Sequence, residues 1–168
     1  MDVEGVAAEA VTPRGLHAVV STWLDGPDDE AHQRSRKPWS LSPPFAAPGG
    51  RWAFEVGLLD DALAARLAEG AAVGTPLRFG EAWGRSAGVS LVSGASWAEL
   101  VASARPRRRW TLRFVTPMTF RHRQRHQPLP VPRSVFGHYL ECVWAHGPEG
   151  LLEGFALEPA HLEVGHLE

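Results

Sequence analysis

The sequence contains a single cysteine, Cys142, and no apolar run long enough to cross a membrane. One cysteine excludes an intrachain disulfide and any zinc site built from several cysteines. Because Leu140 and Val143 flank it, we interpret Cys142 as a small buried residue, with a reactive thiol as the alternative. No stretch approaches ~18 continuous apolar residues, and residues 1–13 carry acids without the apolar segment of a leader peptide. These absences predict a cytoplasmic protein that does not bind a membrane.

Asparagine and isoleucine are missing as well, and lysine occurs once, at Lys37. Together with abundant alanine, arginine, glycine and proline, this indicates a codon bias that favours arginine over lysine. The bias does not explain why the one lysine remains. The 168 residues, of which 44% are hydrophobic and 21% charged, suit a soluble globular protein of one ordinary domain or two small ones.

Acidic residues are absent between Glu99 and Glu141, although this segment holds nine of the sixteen arginines. Since the whole chain has a formal net charge of -2, the positive charge is local. Guanidinium groups grip phosphate oxygens in pairs and stack on bases, so the pattern favours contact with a nucleic acid. The alternative is a solvated positive face that only keeps the protein soluble. The two densest clusters are Arg105, Arg107, Arg108 and Arg109, then Arg121, Arg123 and Arg125.

The first hundred residues predict alternating helices and strands. Apolar spacing predicts a helix over 16–24, and extended segments follow at 39–42 and 52–58. A helix over 60–69, a strand or hairpin within 76–93 and a capping box at 96–99 complete the pattern. This order is that of a ferredoxin-like domain over residues 1–103 with its first strand short or missing.

A second strand-and-helix unit begins after Arg105-Pro106. The segment from Trp110 to Val115 is the strongest predicted strand, and prolines at 117, 128, 130 and 132 favour an extended chain after it. Ser134 is predicted to cap a helix that continues to Trp144. We therefore expect an α+β protein of tandem ferredoxin-like (RRM-like) domains, with the second, residues 104–168, incomplete.

Histidines offer little support for a metal site. His122 and His126 are four residues apart, but no carboxylate or cysteine lies near them in the sequence to complete a ligand set. His17 is interpreted as a packed or capping residue of the first predicted helix. We expect neither a metal nor another cofactor.

A histidine and a lysine lie five residues apart before the strand at 39–42, in the segment from His32 to Ser42. Histidine can move a proton near neutral pH, and the Lys37 ammonium can neutralise charge on a phosphorane, so the pair could cleave RNA without metal. The alternative is a surface histidine followed by a basic loop.

Two parts of the chain together resemble one family. The C-terminal part has a strand, the pattern Thr-Pro-x-x-Phe-Arg, then Pro-Leu-Pro, then a helix ending in Trp; the residues are 112–121, 128–132, 135–136 and 140–144. The N-terminal part has Leu16-His17-Ala18, Trp23-Leu24, His32 and the run from Lys37 to Pro43. Over residues 14–146 the sequence resembles the CRISPR-associated endoribonuclease family of the RAMP superfamily, which cuts precursor CRISPR RNA within its repeats.

The resemblance implies two ferredoxin-like domains and metal-independent attack by the 2'-hydroxyl of the RNA, leaving a 2',3'-cyclic phosphate and a 5'-hydroxyl. His32 matches a catalytic histidine of some members, and Lys37 matches a lysine that steadies the transition state. A tyrosine that assists in some members would fall near Ser21. The residues expected to hold the repeat RNA are Arg34, Arg36, Arg107, Arg108, Arg109, Arg121, Arg123 and Arg125.

The sequence departs from the family at its end, because the glycine-rich loop that contacts RNA in the family has no counterpart before Glu168. A fragment, a shortened gene or a divergent subgroup would each account for this. A second sheet that lacks strands would expose an edge and invite association, as in a homodimer.

These observations favour a CRISPR repeat-processing endoribonuclease with His32 and Lys37 as catalytic residues. The first alternative is a non-catalytic RNA-binding subunit that holds the processed guide within a CRISPR effector complex. The second is an interaction module whose basic face binds an acidic protein.

Overall fold

The computed structural model describes residues 1–25, 36–105, 109, 111–113, 120–122, 125–127 and 131–153, with the backbone alone for 120–122 and 125–127. The chain divides into two units, Met1–Gly94 and Ala95–Glu168. The sequence pattern places the boundary later, between residues 103 and 104. No helix among these described residues is long and apolar enough to cross a membrane.

Unit 1 is built on an antiparallel sheet of five strands in the order β3-β4-β1-β7-β6. A separate antiparallel pair joins β2 to β5. The strands are β1 (Asp2–Glu4), β2 (Trp39–Leu41), β3 (Phe45–Ala47), β4 (Arg51–Ala53), β5 (Val56–Leu58), β6 (Pro76–Phe79) and β7 (Ala82–Gly88). A two-residue turn joins β6 to β7, and Gly80 in this turn has a φ of 75°, which favours glycine.

Two helices cover one face of this sheet. Helix α1 (Pro13–Leu24) begins at Thr12, whose Oγ1 accepts a hydrogen bond from the Gly15 N–H at 3.0 Å. It contacts β6 and helix α2 (Ala62–Gly70). Between helices and sheet lies the core, whose most deeply buried members are Val3, Val20, Phe54, Leu77 and Phe79.

Unit 2 has, among its described residues, two helices and a hairpin. Helix α3 (Trp97–Ser103) carries the predicted capping box: Ser96 Oγ accepts from Glu99 N–H at 3.2 Å, and the Glu99 carboxylate accepts from Ser96 N–H at 2.7 Å. Strands β8 (Phe120–His122) and β9 (Arg125–Gln127) pair antiparallel, and helix α4 (Pro132–His146) follows.

The structure confirms the α+β tandem ferredoxin-like fold and the predicted helices over 16–24 and 60–69. The extended segment at 39–42 and the hairpin within 76–93 are confirmed as well. The first strand of the ferredoxin-like pattern is present, and β1 lies at the centre of the sheet. It is easily missed because it is three residues long and two of them are acidic.

Three predictions about regular structure are wrong. The segment 52–58 is not one strand, because β4 and β5 belong to different sheets and Phe54 between them donates its N–H to the Met1 carbonyl at 3.0 Å. Of the strand expected from Trp110 to Val115, residues 111–113 are exposed and not in a strand, while residues 110, 114 and 115 lie outside the described residues. Helix α4 begins at Pro132, so Ser134 lies inside the helix and does not cap it.

Cys142 is half-buried on α4 and not fully buried as expected. Its Sγ lies 3.7 Å from His138 Nε2, one helical turn earlier. Val135 alone among the described side chains of α4 is buried, and the others are half-buried or exposed.

Candidate functional site

A buried carboxylate lies where helix α1 ends. Asp25 is the C-cap residue of α1, and its side chain is 4% exposed. Its Oδ2 accepts a hydrogen bond from Lys37 Nζ at 2.6 Å, and its Oδ1 accepts one from Trp39 Nε1 at 3.1 Å. A carboxylate at the negative end of a helix dipole is unfavourable alone, and the Lys37 ammonium offsets this cost. The ion pair therefore ties the end of α1 to the start of β2.

The indole of Trp39 is the centre of this cluster. It is buried, and the His17 ring lies against it with 4.9 Å between ring centroids and 45° between planes. Lys37 Nζ lies 6.0 Å from the centroid of the same indole. An imidazole and an ammonium thus both contact one fixed aromatic ring.

The orientation of His17 is set by its own helix. Ser21 is buried one turn later on α1, and its Oγ lies 3.1 Å from His17 Nδ1. Backbone spacing of four residues brings these side chains together on one face of α1. His17 as a residue is exposed. We refer to His17, Ser21, Asp25, Lys37 and Trp39 as the Asp25 cluster.

The site residues predicted from the sequence lie in unit 1, in unit 2 or outside the described residues. Lys37 belongs to the Asp25 cluster, with 14% of its side chain exposed, and Arg36 beside it is exposed. His32, Arg34, Arg107, Arg108 and Arg123 lie outside the described residues, so the pairing of His32 with Lys37 stays a prediction.

Three of the predicted RNA-binding arginines in unit 2 are described. Arg109 is exposed, while Arg121 and Arg125 belong to the β8–β9 hairpin. The register pairs Arg121 with His126 and His122 with Arg125. The two histidines thus lie on neighbouring strands and not on one helical face. In the described parts of the chain, no group of three histidine, cysteine or carboxylate residues could hold a metal ion.

Sequence reasoning missed Asp25 and Trp39 as parts of the cluster and treated His17 as a packing residue. One signal was available, because a lone lysine in an arginine-rich chain indicates a position that needs a compact ammonium. The lysine can insert a point charge beside a buried carboxylate where a planar guanidinium would need more room. Its partner could not be found from the sequence, since several acids lie within the same distance along the chain.

Comparison with known proteins shows where the chain belongs. No family model matches it, and no curated protein is significantly similar. Among solved structures, it is similar to a Cas6 protein determined as a product complex, with 30% sequence identity and a TM-score of 0.70. The match covers 92% of this chain and 68% of that Cas6 chain. With this identity over this length, the chain belongs to the Cas6 family, the CRISPR-associated endoribonucleases that process precursor CRISPR RNA.

Proposed function

We propose that this chain binds CRISPR repeat RNA and cleaves it within the repeat without a metal ion. The observation that carries the proposal is the Asp25 cluster, in which an ammonium and an imidazole contact the same buried indole. Membership of the Cas6 family supports the substrate class.

The proposed chemistry is an internal phosphoryl transfer. The 2'-oxygen of the RNA attacks the adjacent phosphorus and loses its proton to a histidine, and the bond from phosphorus to the 5'-oxygen breaks. The 5'-oxygen takes up a proton, which leaves a 2',3'-cyclic phosphate and a 5'-hydroxyl. Because an imidazole titrates near neutral pH, it can accept or supply these protons.

We assign the proton transfer to His32 or His17. His32 follows from the resemblance of its segment to the family, and His17 from its exposed position at the Asp25 cluster. Lys37 would donate a hydrogen bond to the phosphorane oxygens, because an ammonium is a compact cation with several N–H donors. Seen from several ångströms away, the negative charge of Asp25 offsets much of the positive charge of Lys37. Lys37 would therefore act on the phosphorane mainly through a directed hydrogen bond and less through a positive electrostatic potential.

The RNA backbone would be held by the basic residues outside this cluster. We assign this role to the eight arginines named from the sequence: Arg34, Arg36, Arg107, Arg108, Arg109, Arg121, Arg123 and Arg125. Contact with phosphates makes affinity fall with salt, by a slope that grows with the number of contacts. We also propose that the chain associates with a CRISPR effector complex and that it can form a homodimer.

One observation favours the non-catalytic alternative, an RNA-binding subunit that holds the guide. Lys37 is 14% exposed and is bonded to a buried carboxylate, which is also the geometry of a lysine that only stabilises the fold. Under this alternative the chain binds repeat RNA tightly and leaves it intact.

The test is incubation of the purified chain with labelled repeat RNA in excess EDTA. Wild type is compared with His32→Ala, His17→Ala and Lys37→Met, and His146→Ala at the end of α4 is the matched control. Loss of a general acid or base typically costs about 10²- to 10⁴-fold in rate. We expect that loss for one histidine of the two, a lower rate for Lys37→Met and wild-type cleavage for the control.

The products and the binding constant decide between the two functions. A cyclic phosphate end with cleavage in EDTA supports the endoribonuclease. Tight binding without cleavage by wild type supports the guide-holding subunit. Cleavage that stops in EDTA, or equal loss in all the histidine variants, contradicts the assigned chemistry.

A further inference from the structure

The β6–β7 hairpin carries an exposed tryptophan beside an arginine. Trp83 is 58% exposed, and it lies directly opposite Arg78 in the strand register. The Arg78 Cζ is 5.6 Å from the centroid of the indole. Arg78 Nε donates to the Gly80 carbonyl at 2.8 Å, which fixes the guanidinium in this position. The hairpin thus presents an aromatic plane and a held cation side by side.

This pair lies on the sheet face away from the helices. Leu77 and Phe79 alternate with Arg78 along β6, and both are buried in the core that α1 covers. Because successive side chains of a strand point to opposite faces, Arg78 points away from α1. The same face is therefore separated from the Asp25 cluster, which lies in the helix layer at the end of α1.

An open groove of about 400 Å³ adjoins the indole. Arg85 borders it, and its Nη1 donates a hydrogen bond to the Gly74 carbonyl at 3.1 Å. Glu4, on the neighbouring strand β1, lies opposite Arg85 in the strand register. The groove is lined by Glu4, Gly5, Pro76, Trp83, Gly84 and Arg85. Its volume lies within the range of small-ligand sites and would admit a nucleobase.

We propose that this face, the Trp83 face, binds a single-stranded RNA segment. A base would stack on the Trp83 indole, and Arg78 and Arg85 would contact the flanking phosphates. The Glu4 carboxylate would accept a hydrogen bond from the amino group of a base, as carboxylates do from cytosine. The choice of RNA as the ligand rests on the proposed function, while the arrangement of the binding side chains is observed on the β6–β7 hairpin and its neighbour β1.

The chemistry of the Trp83 face favours nucleic acid over a protein partner. A protein-docking patch needs contiguous apolar area, and here a single indole is flanked by two arginines. A planar ring between cations matches alternating bases and phosphates. The competing explanation is that Arg78 and Trp83 only stabilise the hairpin as a cross-strand pair.

The test is fluorescence anisotropy of the full chain with a labelled oligoadenylate of roughly 16 nucleotides, the upper end of the length that one single-strand binding domain covers. Removing one stacking residue costs about 5- to 150-fold in affinity. We expect Trp83→Ala to weaken binding by that factor and Trp83→Phe, which keeps a stacking plane, to stay within a few-fold of wild type. Arg78→Gln should flatten the dependence of affinity on salt.

The matched control is Phe45→Ala, which removes another exposed aromatic side chain from the edge strand β3. It should bind like wild type. Equal affinity of Trp83→Ala and wild type, with an unchanged near-ultraviolet circular dichroism spectrum, would overturn the proposal. So would an equal loss in Phe45→Ala or in Trp83→Phe.

Cleavage measured separately keeps the two proposals distinct. Below saturation with repeat RNA, Trp83→Ala should lower the single-turnover rate in step with its loss of affinity, while Phe45→Ala should cleave like wild type. If wild type binds the oligoadenylate through Trp83 but cuts nothing, the Trp83 face stands and the endoribonuclease fails. If wild type cuts repeat RNA while Trp83→Ala keeps full affinity, the endoribonuclease stands and the Trp83 face fails.

Discussion

Replacing Asp25 by asparagine should break the buried ion pair that joins α1 to β2. The asparagine keeps the size of the side chain, and its amide oxygen can still accept from Trp39 Nε1. Its amide N–H₂ then faces the Lys37 ammonium, so two donors meet where the native bond is 2.6 Å long.

The size of the loss follows from burial. Removing one member of a buried ion pair costs about 3–5 kcal/mol, because the remaining charge is left without its partner. Here Lys37 is 14% exposed and keeps some contact with water, and the Trp39 hydrogen bond can survive. We therefore expect the free energy of unfolding to fall by about 3 kcal/mol, at the low end of that range.

Urea unfolding, followed by circular dichroism and tryptophan fluorescence, measures this loss. The variants are Asp25→Asn, Lys37→Met and the double variant, with Asp61→Asn as the matched control. Asp61 is exposed and makes no side-chain cap bond, so its replacement should cost less than about 1 kcal/mol. Because each single variant already removes the 2.6 Å bond between the two side chains, the double variant should lose clearly less than the two losses combined.

A loss below about 1 kcal/mol in Asp25→Asn would refute the reasoning, since that is the worth of an exposed pair. Additive losses would refute it too, because they would show that the two side chains do not interact. In either case the Asp25 cluster would not hold Lys37 in place for the proposed chemistry.

Three further results are expected. Hydrogen bonds from the Ser96 backbone N–H and, to a lesser degree, from its hydroxyl lower the pKa of the Glu99 carboxyl below its usual 4.5, so its contribution to α3 is present above that pH and is lost as pH falls through the lowered pKa. NMR titration of the carboxyl should show a lowered pKa in both wild type and Ser96→Ala, with the smaller lowering in Ser96→Ala, because the alanine keeps the backbone N–H and loses only the hydroxyl. Phe54 is fully buried, and Phe54→Ala should cost about 3–5 kcal/mol of unfolding free energy in urea. Ser86 Oγ is buried, donates to the Ala71 carbonyl at 2.6 Å and accepts from Gly88 N–H at 3.1 Å, so Ser86→Ala should cost about 1–3 kcal/mol in the same assay.

The sequence by itself determined the local elements. The apolar spacing of residues 16–24 predicts α1, and the pattern from Ser96 to Glu99 predicts the capping box that the structure shows. The hairpin of β6 and β7 also follows from its own residues. These features depend on contacts within a few residues of each other, so the chain pattern contains the information needed to predict them.

The resemblance in the sequence extended to the family and its fold, and the comparison with a Cas6 structure confirmed both. The resemblance did not predict the contacts between the side chains of the Asp25 cluster. Lys37 was identified as a candidate, but the buried Asp25 that holds it and the indole between Lys37 and His17 were not.

Only the tertiary structure decided which distant segments meet. It placed β1 between β4 and β7, divided the segment 52–58 between two sheets and joined the end of α1 to the start of β2. Strand pairing and ion-pair formation between distant residues depend on how the whole core packs. The periodicity of residues along the chain contains no information about which distant segments will meet. The residue types of the Asp25 cluster are therefore visible in the sequence, while their arrangement exists only once unit 1 has packed.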